Sequence, residues 1–128
     1  MPTSTDELLQ LNRRLLDAIA CGDWETYREL CDPELTCFEP EAAGQLVVGL
    51  DFHHFYFKLG GKGGEHHTTM CSPHVRLLGD VAVVSYVRLN QRVDSERKPV
   101  TQAFEETRVW QRRNDGWRHV HFHRSAIQ

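Results

Sequence analysis

Near its C-terminus the chain runs HVHFHR, residues 119 to 124, and the two alternating sets of side chains point to two chemistries. On one face of a strand His119, His121 and His123 would stand together, as metal ligands do. On the other face Val120 and Phe122 lead to Arg124. Ligands two residues apart on a flat strand diverge poorly around a tetrahedral ion, and no nearby cysteine or carboxylate completes the set. The three histidines share the parity of Trp117 and are expected outside or at a subunit contact. His66 and His67, beside a glycine-rich loop, are weaker ligand candidates still. No metal site and no cofactor is expected.

The arginines are more informative. Parity places Arg88 with Ala82, Val84 and Tyr86, Arg108 with Phe104 and Trp110, and Arg124 with Val120 and Phe122. Three arginines on three successive strands therefore end an apolar or aromatic face, unlike a solvated exterior. A single such arginine is ordinarily a snorkelling side chain or the partner of a buried carboxylate, and Glu106 has the parity to neutralise one of them. Three together carry fixed charges that need anions nearby. A concave sheet closed by helices would make a pocket there that attracts a carboxylate or a phosphate.

The elements that must position these residues follow from periodicity. Ser4 to Glu7 reads as a capping box ahead of a helix whose stripe is Leu8, Leu11, Leu15 and Ile19, widened by Leu9 and Leu16. Gly22 suits its stop and Asp23 the next cap. A second helix, WETYRELC, is expected to run until Pro33 ends it, followed by a short strand ELTCFE and a third helix from Asp51. GGKGG is expected to be a flexible loop with no phosphate-binding context. HHTTMCSPHVRLL, VAVVSYVRLNQRV, VTQAFEETRVWQRR and WRHVHFHRS are strand-like, separated by turn signals and long enough to predict bends and bulges. Helices first and strands after predict an α+β domain spanning residues 1–128, with helices on one face of a curved antiparallel sheet.

Composition excludes several classes. A net charge of −3 gives no reason to expect nucleic acid, and RVWQRR is balanced by Glu105, Glu106 and Asp115. No apolar run approaches a membrane span, and the N-terminus lacks a signal-peptide core. Cys21, Cys31, Cys37 and Cys71 show no metal-binding spacing and are expected to be reduced thiols of a cytoplasmic protein.

Several blocks, CDPELTCFEPEA, GLDFHHFYF, HTTMCSPHV, EETRVWQRR and VHFHRS, closely resemble the association, or hub, domain of calcium/calmodulin-dependent protein kinase II. GDWETYRELCDP is also similar to a region of that family, so the resemblance covers about Thr5 to Ser125. It implies a cone-shaped nuclear transport factor 2-like fold, a strongly curved sheet around a long N-terminal helix. It implies a non-enzymatic scaffold assembling into two stacked rings of about six or seven subunits each, with larger rings in reach. A hub-bearing kinase is a further expected partner. The family's pocket arginines match Arg88, Arg108 and Arg124, and other pocket positions match Tyr27, Glu39 and His53, so a small carboxylate is the expected ligand. The loop KLGGKGGEHH departs from the longer aromatic loop of kinase hubs, which puts gating by that loop in doubt. No kinase domain is present in the sequence, and Met1 close before the cap at Ser4 suggests a free-standing hub-like chain, the alternative being an excised hub. A different class of function, a small-molecule isomerase, dehydratase or hydrolase in the same cavity, would use Glu39 and His53 as acid and base. Three arginines nearby are expected to hold Glu39 ionised and make it a poor proton acceptor.

Overall fold

The computed structural model describes residues 4–60 and 65–127. Helix α1 (Thr5–Cys21) starts where the Ser4 hydroxyl accepts a hydrogen bond from the Glu7 amide. It stops at Gly22, whose φ of 71° is the left-handed geometry that glycine adopts without strain. Leu8, Leu15 and Leu16 are fully buried, with Leu9, Leu11 and Ile19 packed at the margin. Asn12 is buried in the same face, because its carboxamide oxygen accepts from the Trp110 indole at 3.1 Å. That bond satisfies two polar groups which would otherwise be costly in a core.

Helix α2 (Trp24–Leu30) is capped by Asp23 as expected, but it is one residue shorter than the sequence suggests. Cys31 is already extended, and β1 (Cys31–Phe38) takes in Cys31, Asp32 and Pro33, so Pro33 lies inside a strand and does not end the helix. A three-residue helical turn (Pro40–Ala42) and a two-residue strand β2 (Val47–Val48) occupy the stretch expected to be irregular. Helix α3 (Asp51–Leu59) follows. The four long strands are β3 (His66–Leu78), β4 (Val81–Val93), β5 (Pro99–Arg113) and β6 (Gly116–Ala126). Residues 61–64 of the glycine loop lie outside the described residues.

The six strands form one curved sheet in the order β2-β1-β6-β5-β4-β3. All neighbours are antiparallel except β1 and β6, which are parallel. Helix α1 lies across β3 and beside α2, closing the concave face. Burial alternates along β4, where Ala82, Val84, Tyr86 and Arg88 point inward.

The expected bulges occur in β3, between Cys71 and His74, and in β6. In β6, Val109 pairs with His121 while Trp110 pairs with His119, so Val120 is an extra residue. The bulge reverses parity along the strand. Trp117 and His119 face inward before it, Phe122 and Arg124 after it. The placement of His119 outside with His121 and His123 is therefore corrected: His119 is fully buried, His121 half-buried and His123 exposed.

Candidate functional site

The concave face and the helices enclose a cavity of about 560 Å³. All six residues singled out above line it: Tyr27 from α2, Glu39 after β1, His53 from α3, and Arg88, Arg108 and Arg124 from β4, β5 and β6. Glu41, Phe104 and Phe122 line it as well.

Arg88 and Arg108, which line it, belong to an ion cluster centred on the fully buried Glu106. The Oε1 atom accepts from the Tyr86 hydroxyl at 2.6 Å and from Arg108 Nη2 at 3.0 Å and Nε at 3.2 Å. Arg108 Nε also donates to the Tyr86 oxygen at 2.9 Å, and its guanidinium lies 4.4 Å from the Phe122 ring centre. The Arg108 and Glu106 side chains are 1% and 0% exposed. Burial pushes the Glu106 carboxyl up, but Arg108 and then Arg88 more than reverse this and hold it below the ordinary carboxylate value. Burial likewise works against the charge on Arg108, yet Glu106 raises its pKa above the ordinary value. The pair is thus locked ionised by mutual contact.

Arg88 brings a second positive charge to Glu106 without completing the bonding. Its Nε approaches Glu106 Oε2 to 2.9 Å, but neither atom has a hydrogen-bond partner among the described residues. The contact is coulombic and poorly aligned. Burial and the fields of Arg108 and Arg124 lower the Arg88 pKa, with Glu106 opposing them. Three guanidiniums therefore do converge.

Behind Arg108 stands a residue that parity counting missed. His119 Nε2 lies 3.5 Å from Arg108 Nη1, and its Nδ1 lies 3.4 Å from Cys31 Sγ. A guanidinium only donates, so Nε2 must carry the lone pair and Nδ1 the proton. Burial, then Arg108, drives the His119 pKa well below its ordinary value, so the ring is neutral. A run of alternating histidines could have flagged it only if the bulge at Val120 had been visible.

Arg124 stands nearer solvent. It ion-pairs with Glu41 and, at 3.6 Å, with Glu39, and it covers the Phe104 ring at 4.6 Å. Glu41, quoted within CFEPEA but not singled out, is the other residue that sequence reasoning missed. Its position two residues past Glu39, across Pro40, was the available signal.

Glu39 also faces His53, with Nδ1 to Oε1 at 3.6 Å, while His53 Nε2 lies 3.6 Å from Cys37 Sγ. The acid/base pair considered above is thus brought together, but its electrostatics differ from expectation. Burial outweighs Arg124 and raises the Glu39 pKa, so the arginines do not simply hold it ionised. Burial, then Arg108 and Arg124, lowers His53 to about 4, and burial raises the Cys37 thiol to about 12. Ligand atoms of Cys37, Glu39 and His53 lie within 4.8 Å of one another, which makes them the described residues that could hold a metal. Any cation there would sit in the repulsive field of Arg108 and Arg124.

Among the described residues no helix is long and apolar enough to cross a membrane. Residues 4–128 match the model of the calcium/calmodulin-dependent protein kinase II association domain. The delta subunit of that kinase from Oryctolagus cuniculus is 49% identical over 123 residues, which are 94% of this chain and 23% of the relative. The chain thus spans about a quarter of the length of such curated relatives. A solved calcium/calmodulin-dependent protein kinase II hub homology domain from C. reinhardtii is 50% identical, with a TM-score of 0.92 over 98% of this chain and 100% of that one. A dehydratase-like protein of the nuclear transport factor 2-like family from Streptomyces avermitilis, 21% identical with a TM-score of 0.78 over 96% and 95% of the two chains, shares the fold alone. With that fold, that identity and a family match over nearly its whole length, this chain belongs to the calcium/calmodulin-dependent protein kinase II association-domain family.

Proposed function

We propose that the chain is a self-assembling hub, a non-enzymatic scaffold that forms two stacked rings around a central hole and binds a small carboxylate in each cone. Membership of an association-domain family supports assembly. So does apolar surface left uncovered by the chain's own core. Phe55 and Leu59 on α3 are 54% and 66% exposed, and Tyr56, Leu46 and Val48 are also open. Phe52 and Phe57, by contrast, turn partly into the core, where Phe57 meets Trp24 and Tyr27. Native mass spectrometry tests this directly. Two rings of about six or seven 14.8 kDa chains give a particle of about 180 to 210 kDa, whereas a monomer or dimer at micromolar concentration would refute the ring.

A scaffold suits the chemistry of the cavity better than an enzyme does. A histidine that takes a proton only near pH 4 is a weak base, and a thiol near 12 is no nucleophile at neutral pH. The pocket reading is carried by Arg88: it lines the cavity, and the one carboxylate it meets among the described residues, Glu106 at 2.9 Å from Nε, makes no aligned hydrogen bond with it. A carboxylate entering there would meet a cavity-lining guanidinium whose charge is answered but whose bonding is incomplete. Butyrate should raise the melting temperature at concentrations above its dissociation constant, and the uncharged butyramide should not. Because the relatives are kinase subunits, a hub-bearing kinase chain is the second partner we infer. Buried thiols at Cys31 and Cys37 fit a reducing cytoplasm.

A further inference from the structure

The carboxylates that answer the three arginines are not equivalent. Glu106 is fully enclosed and accepts from three donor atoms, and Glu39 is nearly as buried. Glu41 stands apart. It sits on the turn Pro40–Ala42, which closes at Ala43 in the left-handed region with φ 54°. Ala42 is tucked beneath the turn, while the Glu41 side chain is 41% exposed. Its carboxylate nonetheless reaches into the cavity and pairs with Arg124. The chain itself therefore delivers a carboxylate, on a short solvent-facing arm, to a guanidinium of the ligand cavity.

The charge count gives this arrangement a consequence. Arg88, Arg108 and Arg124 face Glu106, Glu39 and Glu41, and Arg92 and Glu65 add one lining charge of each sign, so the count is four against four. An anion that entered without displacing anything would put five carboxyl groups around four guanidiniums, in a site too enclosed to screen them well. Releasing Glu41 restores the balance, and of the three glutamates facing Arg88, Arg108 and Arg124 it is the carboxylate already turned to water, 41% exposed against 8% for Glu39 and 0% for Glu106. We propose that Glu41 is a resident stand-in for the ligand, an exchangeable carboxylate on Arg124 that an incoming carboxylate displaces and that thereby sets the affinity of the pocket. The exchange breaks one ion pair and forms another at the same guanidinium, with no net change in charge at the site. Any ligand must outcompete a tethered rival, which selects against anions too weakly basic or too bulky to use the Arg124 fork.

The proposal rests on the carboxylate-pocket reading, and one experiment separates the two. Butyrate is titrated by calorimetry into the intact assembly of wild type and of Glu41→Gln, with butyramide as the uncharged control. Glu41→Gln keeps the shape of the arm and removes its charge, so butyrate should bind roughly three- to tenfold more tightly. Glu41→Asp, with the charge kept on a shorter arm, should fall between. In wild type, saturating butyrate should speed amide exchange over residues 39–44 and leave β4 unchanged. Equal or weaker binding by Glu41→Gln, or slower exchange of that segment with ligand, would overturn the latch and leave the pocket standing. If neither protein binds butyrate, the pocket and the latch fall together.

Discussion

Arg108 and Arg124 stand on neighbouring strands, each over a phenylalanine ring and each paired with glutamate, at 4.4 Å from Phe122 and 4.6 Å from Phe104. Their surroundings separate them. Arg108 is sealed, with Glu106, Tyr86 and His119 around it. Arg124 is 10% exposed and leans on a glutamate that is itself half in water. Two residues of one type, in one cavity, therefore do different work. An ion pair without access to solvent cannot exchange partners cheaply and behaves as part of the core. An ion pair with one partner in water contributes little to stability and is free to be replaced.

The comparison breaks most visibly at its buried end. Glu106→Gln strands two guanidiniums and should cost about 3–5 kcal/mol of unfolding free energy, read as a lower denaturant midpoint. A loss below about 3 kcal/mol would make the two regions alike. Acid offers a second handle on the same end. In the native state His53 titrates near 4, against 6.5 ordinarily, and His119 is displaced in the same direction. Between about pH 4 and 6.5 these rings hold fewer protons folded than unfolded. Their contribution is whole above pH 6.5 and is lost as the pH falls toward 4, by up to about 1.4 kcal/mol per pH unit for each ring. Glu39, raised by burial, works in the opposite sense and gains from acidification. Denaturant midpoints measured from pH 7.5 to 5 should fall for wild type, and the slope should flatten in His53→Asn.

The outer region should answer more gently. Arg124→Gln is expected to lower the stability of the ligand-free protein by about 1–3 kcal/mol, since Glu41 turns to water but the buried Glu39 loses its guanidinium, while abolishing the butyrate-dependent rise in melting temperature. Arg124→Lys should restore only part of that rise, since a point charge does not reproduce the planar fork. Unfolding of Arg124→Gln would show that both arginines are structural. The smallest effect expected is that of a strong chelator, which should leave particle mass and melting temperature unchanged. Stoichiometric zinc lost together with structure would place an ion on Cys37, Glu39 and His53.

Most of this arrangement could be read from residue order. Alternation in VAVVSYVRLNQ and AFEETRVWQ turned Arg88 and Arg108 inward correctly, and a strand built on period two has little freedom to do otherwise. Arg124 was placed inward by the same count, although Val120, used to support it, is the bulged residue. Two facts were hidden for physical reasons. A bulge is a property of a strand against its partner, so nothing local to HVHFHR marks Val120 as extra and His119 as buried. The role of Glu41 depends on a turn that folds back over β6, a contact between residues 83 positions apart. Helix α2 was overrun because Cys31 continues its apolar spacing, and pairing with β6 overrides that local preference.

The extra residue in β6 also governs how the chain can vary between relatives. With Val120 present, the strand is read in two frames, Trp117 and His119 in one, Phe122 and Arg124 in the other. Substituting Val120 leaves both frames intact, so many side chains are tolerable there. Deleting it merges them, and either Trp117 and His119 or Phe122 and Arg124 must turn away from the cavity. Insertions and deletions should therefore be excluded between His119 and His121 even where the residues themselves differ, and an alignment that opens a gap at this point is describing a protein without this pocket.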